Sequence, residues 1–347
     1  MPIKVTVFIP TFNRLGTLKR AVDSALVQGD FIRVHVLDNA STDGTRIWLE
    51  TFAEKESRLV LTLRDKNIGA VKNYADGISS VQTEYCVPLA SDDELLPGFL
   101  SEALRIAEED PQLGAVIFQT ACIKNKSLAF VNPSGLTVGR RMPQDHLNEW
   151  AGVGHYFSWS SILWRRSSLQ NVNAQSEFDR FPFPGDAWIQ FLVFLRAPVF
   201  IVDKPGATLN MHDGQASRQI GVEDLRDVGQ MLQRMQELVS EEEVFDKREM
   251  EHFMRRMYEH WNQVLKWGFS KSSREYDDAD TRQAIEYYLE YFFSQNGFND
   301  FPLLPLFKEY REQAPQLNAY KINWMEKSLS WKITKPLRLL ASALTNK

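Results

Sequence analysis

The sequence predicts an α/β fold, with a mostly parallel sheet flanked by helices and followed by a helical carboxyl-terminal region. Short apolar runs rich in β-branched residues alternate with segments of helical periodicity through about the first 120 residues. Polar residues follow each of the first four runs, and helical periodicity alone continues after about residue 222. Strands that alternate with helices of this length favour parallel pairing through right-handed crossovers.

Six apolar runs are predicted strands, and five periodic segments are predicted helices. The strand runs cover residues 3–9, 31–37, 59–63, 85–89, 115–120 and 199–202. The helical segments lie around residues 18–26, 47–52, 71–78, 100–109 and 187–195, where apolar residues recur at intervals of three and four. Residues 124–183 are irregular but rich in aromatic side chains, which we expect to lie mainly in the core.

The length and the change of pattern near residue 222 indicate two parts. A chain of 347 residues is long enough for one large domain with an appendage. We predict a first domain over residues 1–222 and a helical region over residues 223–347.

Composition excludes several classes of protein. Hydrophobic residues make up 44% and charged residues 24% of the chain, which is typical of globular proteins rather than disordered chains or fibres. The net charge of -5 provides no strongly basic surface, so we expect no nucleic-acid partner. Two cysteines, Cys86 and Cys122, are too few for a disulfide framework or a structural zinc cluster.

The amino terminus starts directly with a predicted strand and has no signal-peptide pattern. No apolar stretch approaches the ~20 residues that a membrane span needs. We therefore expect a cytoplasmic protein, with peripheral contact to the inner face of the cytoplasmic membrane as an option.

Polar side chains follow four consecutive predicted strands. The carboxyl ends of parallel strands meet at one edge of a sheet, where open α/β sheets bind ligands. A single acid after a strand is more often a turn former or a helix cap, but four strand ends together favour a ligand site. The segments concerned are Pro10–Arg14, Asp38–Gly44, Arg64–Asn67 and Ser91–Glu94.

The densest acidic point is the run Asp92, Asp93 and Glu94. Adjacent carboxylates repel one another unless a cation or hydrogen-bond donors offset their charge. Mg2+ or Mn2+ suits one or two carboxylates together with phosphate oxygens. The alternative is a solvated first turn of a helix, where the helix dipole favours acids.

Familiar phosphate-binding loops are missing from the sequence. It contains no Gly-x-x-x-x-Gly-Lys-Ser/Thr loop and no Gly-x-Gly-x-x-Gly after the first strand, which argues against kinases and dehydrogenases. It also lacks the Gly-x-Ser-x-Gly elbow of many serine hydrolases. A nucleotide would therefore be held by acids, a metal ion and side-chain amides.

Four segments resemble glycosyltransferase family two in order and spacing. Val7–Arg14 reads VFIPTFNR, Val36–Thr45 reads VLDNASTDGT, Asn67–Asn73 reads NIGAVKN, and Pro88–Pro97 reads PLASDDELLP. The resemblance covers about residues 3–120 and continues more loosely to about residue 220. It implies the Rossmann-like GT-A fold and an inverting transfer of a sugar from a nucleoside diphosphate to an acceptor. For residues 1–222 it thus implies a catalytic domain that binds the nucleotide sugar and the acceptor.

The resemblance also implies roles for individual residues. Asp186 lies where the family has its catalytic base, and with a pKa near the ordinary ~3.9 it would be ionised at neutral pH and accept a proton. Asp93 and His212 are implied as contacts of a divalent ion, Mn2+ or Mg2+. Residues implied in nucleotide-sugar binding are Thr11, Asn13, Arg14, Asp38, Asp65, Asn67, Asn73 and Asp92.

Structural alternatives exist for two of these residues. Asp186 follows Pro184 and Gly185 and precedes an apolar helix, which is also the pattern of a helix N-cap. A histidine such as His212 is more often a structural hydrogen-bonding residue than a metal ligand.

The expected function is a metal-dependent sugar transfer to a glycan or lipid-linked glycan in bacterial surface polysaccharide synthesis, of the O-antigen or capsule type. Ala90 departs from the family, in which many members carry an acid at this position. That departure favours one alternative, a non-catalytic nucleotide- or glycan-binding scaffold. The other alternative, a sugar-nucleotidyltransferase, would need a glycine-rich basic loop after the first strand, and residues 10–16 fit it poorly.

The last 27 residues, Lys321–Lys347, form a basic amphipathic tail with six basic residues and one acid. Tryptophan and leucine side chains interleave with these charges, as in segments that bind anionic lipid. The alternative is a terminal helix docked on the domain. The helical region also offers a surface for a homo-oligomer contact, although the sequence leaves the oligomeric state open.

Overall fold

The computed structural model describes residues 2–132, 135–153, 157–182, 184–211 and 222–271. The chain divides into two compact units, Met1–His212 and Asp213–Lys347. No described helix is both long and apolar enough to cross a bilayer. The predicted tail at residues 321–347 and His212 lie outside the described residues.

The first unit contains a 10-stranded sheet. Its strands are β1 Val5–Thr11, β2 Ile32–Asp38, β3 Leu59–Leu63, β4 Tyr85–Pro88, β5 Glu94–Leu95, β6 Ala115–Lys124, β7 Ser127–Asn132, β8 Gly139–Arg141, β9 Ile162–Arg165 and β10 Val199–Met211.

Eight described helices belong to the first unit and two to the second. In the first unit they are α1 Leu15–Leu26, α2 Thr45–Ala53, α3 Ala70–Ser80, α4 Phe99–Glu109, α5 Pro143–Val153, α6 Arg166–Asn171, α7 Ala174–Arg180 and α8 Gly185–Arg196. In the second unit they are α9 Val222–Glu241 and α10 Lys247–Lys271.

The strand order confirms the predicted α/β fold with a mostly parallel sheet flanked by helices. The order is β3-β2-β1-β4-β9-β6-β10-β5, with β7 added to β6 and β8 added to β10. β1, β2, β3 and β4 pair in parallel, as do β6 and β10. The carboxyl ends of β1 to β3 therefore meet at one edge of the sheet.

Helices cover the central strands closely. Every residue of β1 is buried, as expected for a strand packed on both faces. α3 approaches β1 at Gly77, where an added Cβ would lie 2.5 Å from a ring carbon of Phe8. Because Gly77 has no side chain, α3 can pack directly against Phe8 of β1.

The region predicted to be irregular contains regular elements. Residues 124–183 include β7 to β9 and α5 to α7, most of them too short for periodicity to reveal. β9 joins the sheet antiparallel between β4 and β6, a long-range pairing that no local pattern encodes. The expected burial of the aromatic residues is confirmed for Trp150, Phe157, Trp159, Trp164, Phe178, Phe181 and Trp188.

The last strand is longer than predicted. β10 continues from the predicted 199–202 to Met211, through irregular register between Val202 and Ala207. Pro205 lies in this irregularity, which fits a residue without a backbone N–H. The extension carries Asn210 to the edge where the acidic run lies.

Candidate active site

Thr11 and Asp38 end neighbouring strands and face each other in register. Both are buried, with Asp38 completely inaccessible to solvent. Thr11 Oγ1 and Asp38 Oδ1 have no hydrogen-bond partner in the described part of the chain. An unsatisfied buried polar group costs about 1–3 kcal/mol, so two of them side by side indicate a place where a ligand supplies the partners.

The loops after β1 and β2 are tied together by short polar side chains. The Asn13 N–H donates to Ser41 Oγ at 2.8 Å, and the Thr42 N–H donates to Asn13 Oδ1 at 2.7 Å. Asn13 has a φ of 51°, a left-handed conformation that asparagine tolerates better than most residues. Asn13 therefore shapes the rim around Thr11 and Asp38.

The loop after β3 is held to the loop after β2 by two asparagines. Asn39 Nδ2 donates to Asn67 Oδ1 at 2.8 Å, and the Ile68 N–H donates to Asn39 Oδ1 at 2.9 Å. Asn67 Oδ1 also accepts the Gly69 N–H at 2.8 Å. The structure thus uses Asn67 to fix loop geometry, and Asn39 is a partner that the sequence did not single out.

Two other predicted ligand-binding residues, Asn73 and Asp65, differ in burial and in hydrogen bonding. Asn73 is buried and donates to the Leu37 carbonyl at 2.9 Å, while its Oδ1 accepts from Arg64 at 3.0 Å. The Asp65 side chain is 98% exposed and lies 3.8 Å from Arg46 Nη1. The structure therefore gives Asn73 a structural contact and leaves Asp65 on the open rim.

Arg14 and Asp92 come together across the loops after β1 and β4. Arg14 Nη1 donates to Asp92 Oδ2 in a partly buried ion pair. The main-chain carbonyl of Asp92 accepts from Asn210 Nδ2 at 2.7 Å. One positive charge therefore offsets part of the acidic run.

Asp93 is the most buried acid of the run. Its carboxylate accepts from Ser160 Oγ at 3.1 Å and from the Asn210 N–H at 3.0 Å. Burial, with the negative charge of Asp92 as a smaller cause, raises the pKa of Asp93 to about 7. A solvated first helical turn is therefore the wrong interpretation of this run, because Asp93 is inside and α4 begins only at Phe99.

Asp186 lies in the first turn of α8, one residue after the helix begins. Its Oδ1 accepts the Ala187 N–H at 2.8 Å, and Pro184 occupies the N-cap position. Burial raises the pKa of Asp186 to about 6, although the Ala187 hydrogen bond acts in the opposite direction. The expected pKa near 3.9 is thus too low, but the group is still ionised at neutral pH.

Trp159 and Ser160 connect Asp186 with Asp93. These consecutive residues lie in a short 3-10 helix. The Trp159 indole N–H donates to the Asp186 carbonyl at 3.1 Å, while Ser160 contacts the Asp93 carboxylate. Two acids 93 positions apart in the sequence are therefore brought to one place.

Tyr74 faces the same acids from α3. Its ring stacks on Phe178, with centroids 6.0 Å apart. Burial, and then the charges of Asp92, Asp93 and Asp186, raise the pKa of the Tyr74 phenol. No local sequence pattern marked Tyr74, Ser160 or Asn210 as site residues, because their contacts come from distant segments.

The described residues alone do not form a closed metal site. Among the described residues, no three histidine, cysteine, aspartate or glutamate side chains cluster closely enough to hold an ion. Asp92 and Asp93 are adjacent carboxylates in the described chain, and His212 is outside the described residues.

Comparison with known proteins finds relatives of the first unit. Residues 6–172 match the model of glycosyl transferase family 2. The chain is 25% identical over 231 residues to the succinoglycan biosynthesis protein ExoO of Rhizobium meliloti strain 1021, covering 64% of each chain. It is 32% identical over 181 residues to the GalNAc(5)-diNAcBac-PP-undecaprenol beta-1,3-glucosyltransferase of Campylobacter jejuni, covering 50% of this chain and 56% of that one.

The chain spans less than two thirds of the length of these two curated relatives. Among solved structures, residues 1–349 of TarS from S. aureus superpose with a TM-score of 0.60 at 13% identity, covering 99% of this chain and 90% of TarS 1–349. At that identity the likeness shows a shared fold. The sequence of residues 6–172 therefore resembles glycosyl transferase family 2.

Proposed function

We propose that the protein is an inverting glycosyltransferase that moves a sugar from a nucleoside diphosphate to a glycan or lipid-linked glycan acceptor. The family and the two named relatives, which serve succinoglycan synthesis and glucosyl transfer to an undecaprenol-linked glycan, support this reaction class. The observation that carries the proposal is the pair of unsatisfied buried atoms on Thr11 and Asp38, next to the acids.

The nucleoside of the donor occupies the edge formed by Thr11 and Asp38. Asp38 Oδ1 is an acceptor without a donor, and a base N–H or a ribose hydroxyl supplies one. Thr11 Oγ1 both donates and accepts, so it suits a carbonyl or a hydroxyl of the same nucleoside. The ties through Asn13 and Asn39 hold these two strand ends in place before the donor arrives.

The acid pair suits the donor diphosphate together with a hard divalent ion, Mn2+ or Mg2+. Such ions bind one or two carboxylates and complete their shell with phosphate oxygens, so Asp93 with Asp92 is a sufficient protein contribution. The raised pKa of Asp93 reflects burial and the repulsion of Asp92, which a cation relieves. When bound, the ion would stabilise the negative charge that develops on the leaving diphosphate.

Asp186 is the proposed catalytic base. A carboxylate with a pKa of about 6 is ionised at neutral pH, yet it is more basic than an ordinary aspartate. It takes the proton of the acceptor hydroxyl as that oxygen bonds to the anomeric carbon. The bond from that carbon to the diphosphate oxygen breaks, and its electron pair leaves with the nucleoside diphosphate. Attack opposite the leaving group inverts the anomeric centre.

A panel of nucleotide sugars tests this function. The full chain is incubated with UDP-, dTDP- and GDP-sugars, with Mn2+ and with undecaprenol-linked glycan acceptors, and nucleoside diphosphate release is measured. We expect acceptor-stimulated release from one donor class. Tight nucleotide binding without any release, from every donor and acceptor, would favour the scaffold alternative.

A further inference from the structure

The hairpin of β6 and β7 exposes large apolar side chains beside the candidate active site. Leu128 is 62% exposed and Phe130 is 50% exposed, and both lie on β7. Asn125 and Lys126 form the two-residue turn, both with positive φ, of 51° and 63°. A lysine occupies a position where such turns favour glycine, so the tip retains a charge at a conformational cost.

The charge of this segment is one-sided. No acidic residue occurs from 111 to 144. Lys124 precedes the turn and Lys126 lies in it, and neither forms an ion pair with any described residue, in a chain whose net charge is -5. The hairpin therefore combines exposed apolar groups with two lysines that no acid in the described ranges pairs with.

The register places the hairpin close to the acids. Ile123 of β6 pairs with Leu128 on one side and with Asn210 of β10 on the other. The Asn210 N–H donates to Asp93. Two strand spacings separate Leu128 from Asn210, which is about 10 Å.

We propose that the β6–β7 hairpin docks the protein on an anionic lipid bilayer, with Leu128 and Phe130 in the interface and Lys124 and Lys126 on the headgroups. Apolar side chains flanked by lysines match the two layers of such a surface, the acyl boundary and the anionic headgroups. Docking here would bring the edge with Asp93 to the membrane, where a lipid-linked acceptor resides. The hairpin surface is distinct from the residues proposed to bind the sugar donor. Lipid binding by the hairpin therefore does not depend on the proposed function, and only its role in reaching a lipid-linked acceptor does.

Vesicle flotation of the full chain tests the proposal. We compare vesicles of phosphatidylcholine alone with vesicles that also contain phosphatidylglycerol, for the wild type, Lys126→Glu and a Leu128→Ser/Phe130→Ser double variant. Matched controls are Lys55→Glu and a Val27→Ser/Ile47→Ser double variant, since Val27 and Ile47 are each 72% exposed elsewhere on the unit. We expect the wild type to prefer phosphatidylglycerol vesicles, both hairpin variants to lose about tenfold in partitioning, and both controls to behave as the wild type.

A dye attached to Leu128→Cys reports insertion directly, because the two native cysteines are buried. The emission of this dye is expected to shift to the blue with phosphatidylglycerol vesicles, whereas a dye on Ile47→Cys should not respond. Nucleoside diphosphate binding by the hairpin variants should equal that of the wild type, which separates this test from that of the proposed function. Unchanged flotation of the hairpin variants, equal binding to neutral vesicles, or a change of oligomeric state instead of lipid binding would each overturn the proposal.

Discussion

Replacing Asp186 by asparagine should remove most sugar transfer and leave the protein more stable. Asparagine retains the oxygen that accepts the Ala187 N–H but cannot accept the proton of the acceptor hydroxyl. A general base typically contributes a factor of about 10²–10⁴ in rate, so kcat is expected to fall by that range.

The gain in stability follows from the burial of the Asp186 carboxylate. Burial raises its pKa from 3.8 to about 6, and at 1.36 kcal/mol per pH unit this gives a ceiling of about 3 kcal/mol for the ionised group. The side chain is partly exposed, so we expect a gain of about 1–2 kcal/mol after solvent screening. The stability of the wild type should approach that of the variant as the pH falls from about 6 to about 4. Over this range Asp186 is protonated in the folded protein before it is protonated in the unfolded chain.

Two assays on Asp186→Asn check both effects. Nucleoside diphosphate release as a function of pH should show the wild-type rate falling below about pH 6, while urea unfolding at about pH 8 should show the variant more stable. Asp179→Asn, an exposed change in the preceding helix, is the control and should alter neither property. Activity of Asp186→Asn within tenfold of the wild type would refute the role as base, and lower stability would contradict the cost assigned to burial of the ionised carboxylate.

Three further predictions concern packing and pH. Burial lowers the pKa of the His146 imidazole to about 3, so the unfolded chain binds a proton that the folded protein does not. Between about pH 7 and pH 5 the wild type should therefore lose about 2 kcal/mol more unfolding free energy than His146→Phe, as measured by urea unfolding. Equal losses in the two proteins would contradict this. Gly77→Ala should lower the free energy of unfolding by about 1–3 kcal/mol, because the added Cβ would lie 2.5 Å from a carbon of the Phe8 ring. Gly16→Ala is the control: it has open space around it, so the better helix former should raise the melting temperature. Ser160→Ala removes a hydrogen-bond donor that favours the ionised form of Asp93. When metal-dependent nucleotide binding is titrated at a series of pH values, the pH at which binding sets in should therefore be higher for the variant. The same onset pH in both proteins would count against that contact.

The alternation of strands and helices was predictable because each element is encoded locally. For β1, consecutive apolar residues mark the strand, and the polar residues that follow directly mark where it ends. The same holds for Thr11 and Asp38, since parallel strands must end at one edge. Their burial and lack of partners required the structure, because covering helices come from other parts of the chain.

The environment of the acids could not be read from the sequence. Ser160 and Asn210 reach Asp93 from 67 and 117 residues away, through the antiparallel insertion of β9 and the extension of β10. The pKa of Asp186 depends on the same packing, which explains why an ordinary value was expected. Local patterns thus found the acids, but tertiary contacts set their protonation.

Calorimetric titration of UDP, dTDP and GDP, each with Mn2+, into the wild type, Asp38→Ala and Asp30→Ala tests whether the donor binds at Thr11 and Asp38. Asp38 ends β2 and Asp30 lies two residues before that strand begins, but Asp38 is fully buried with an unsatisfied oxygen, whereas the Asp30 side chain is 88% exposed. We expect that one nucleotide binds the wild type and Asp30→Ala equally, and that Asp38→Ala loses this binding while remaining folded. Equal binding by all three proteins would contradict a donor site at Thr11 and Asp38.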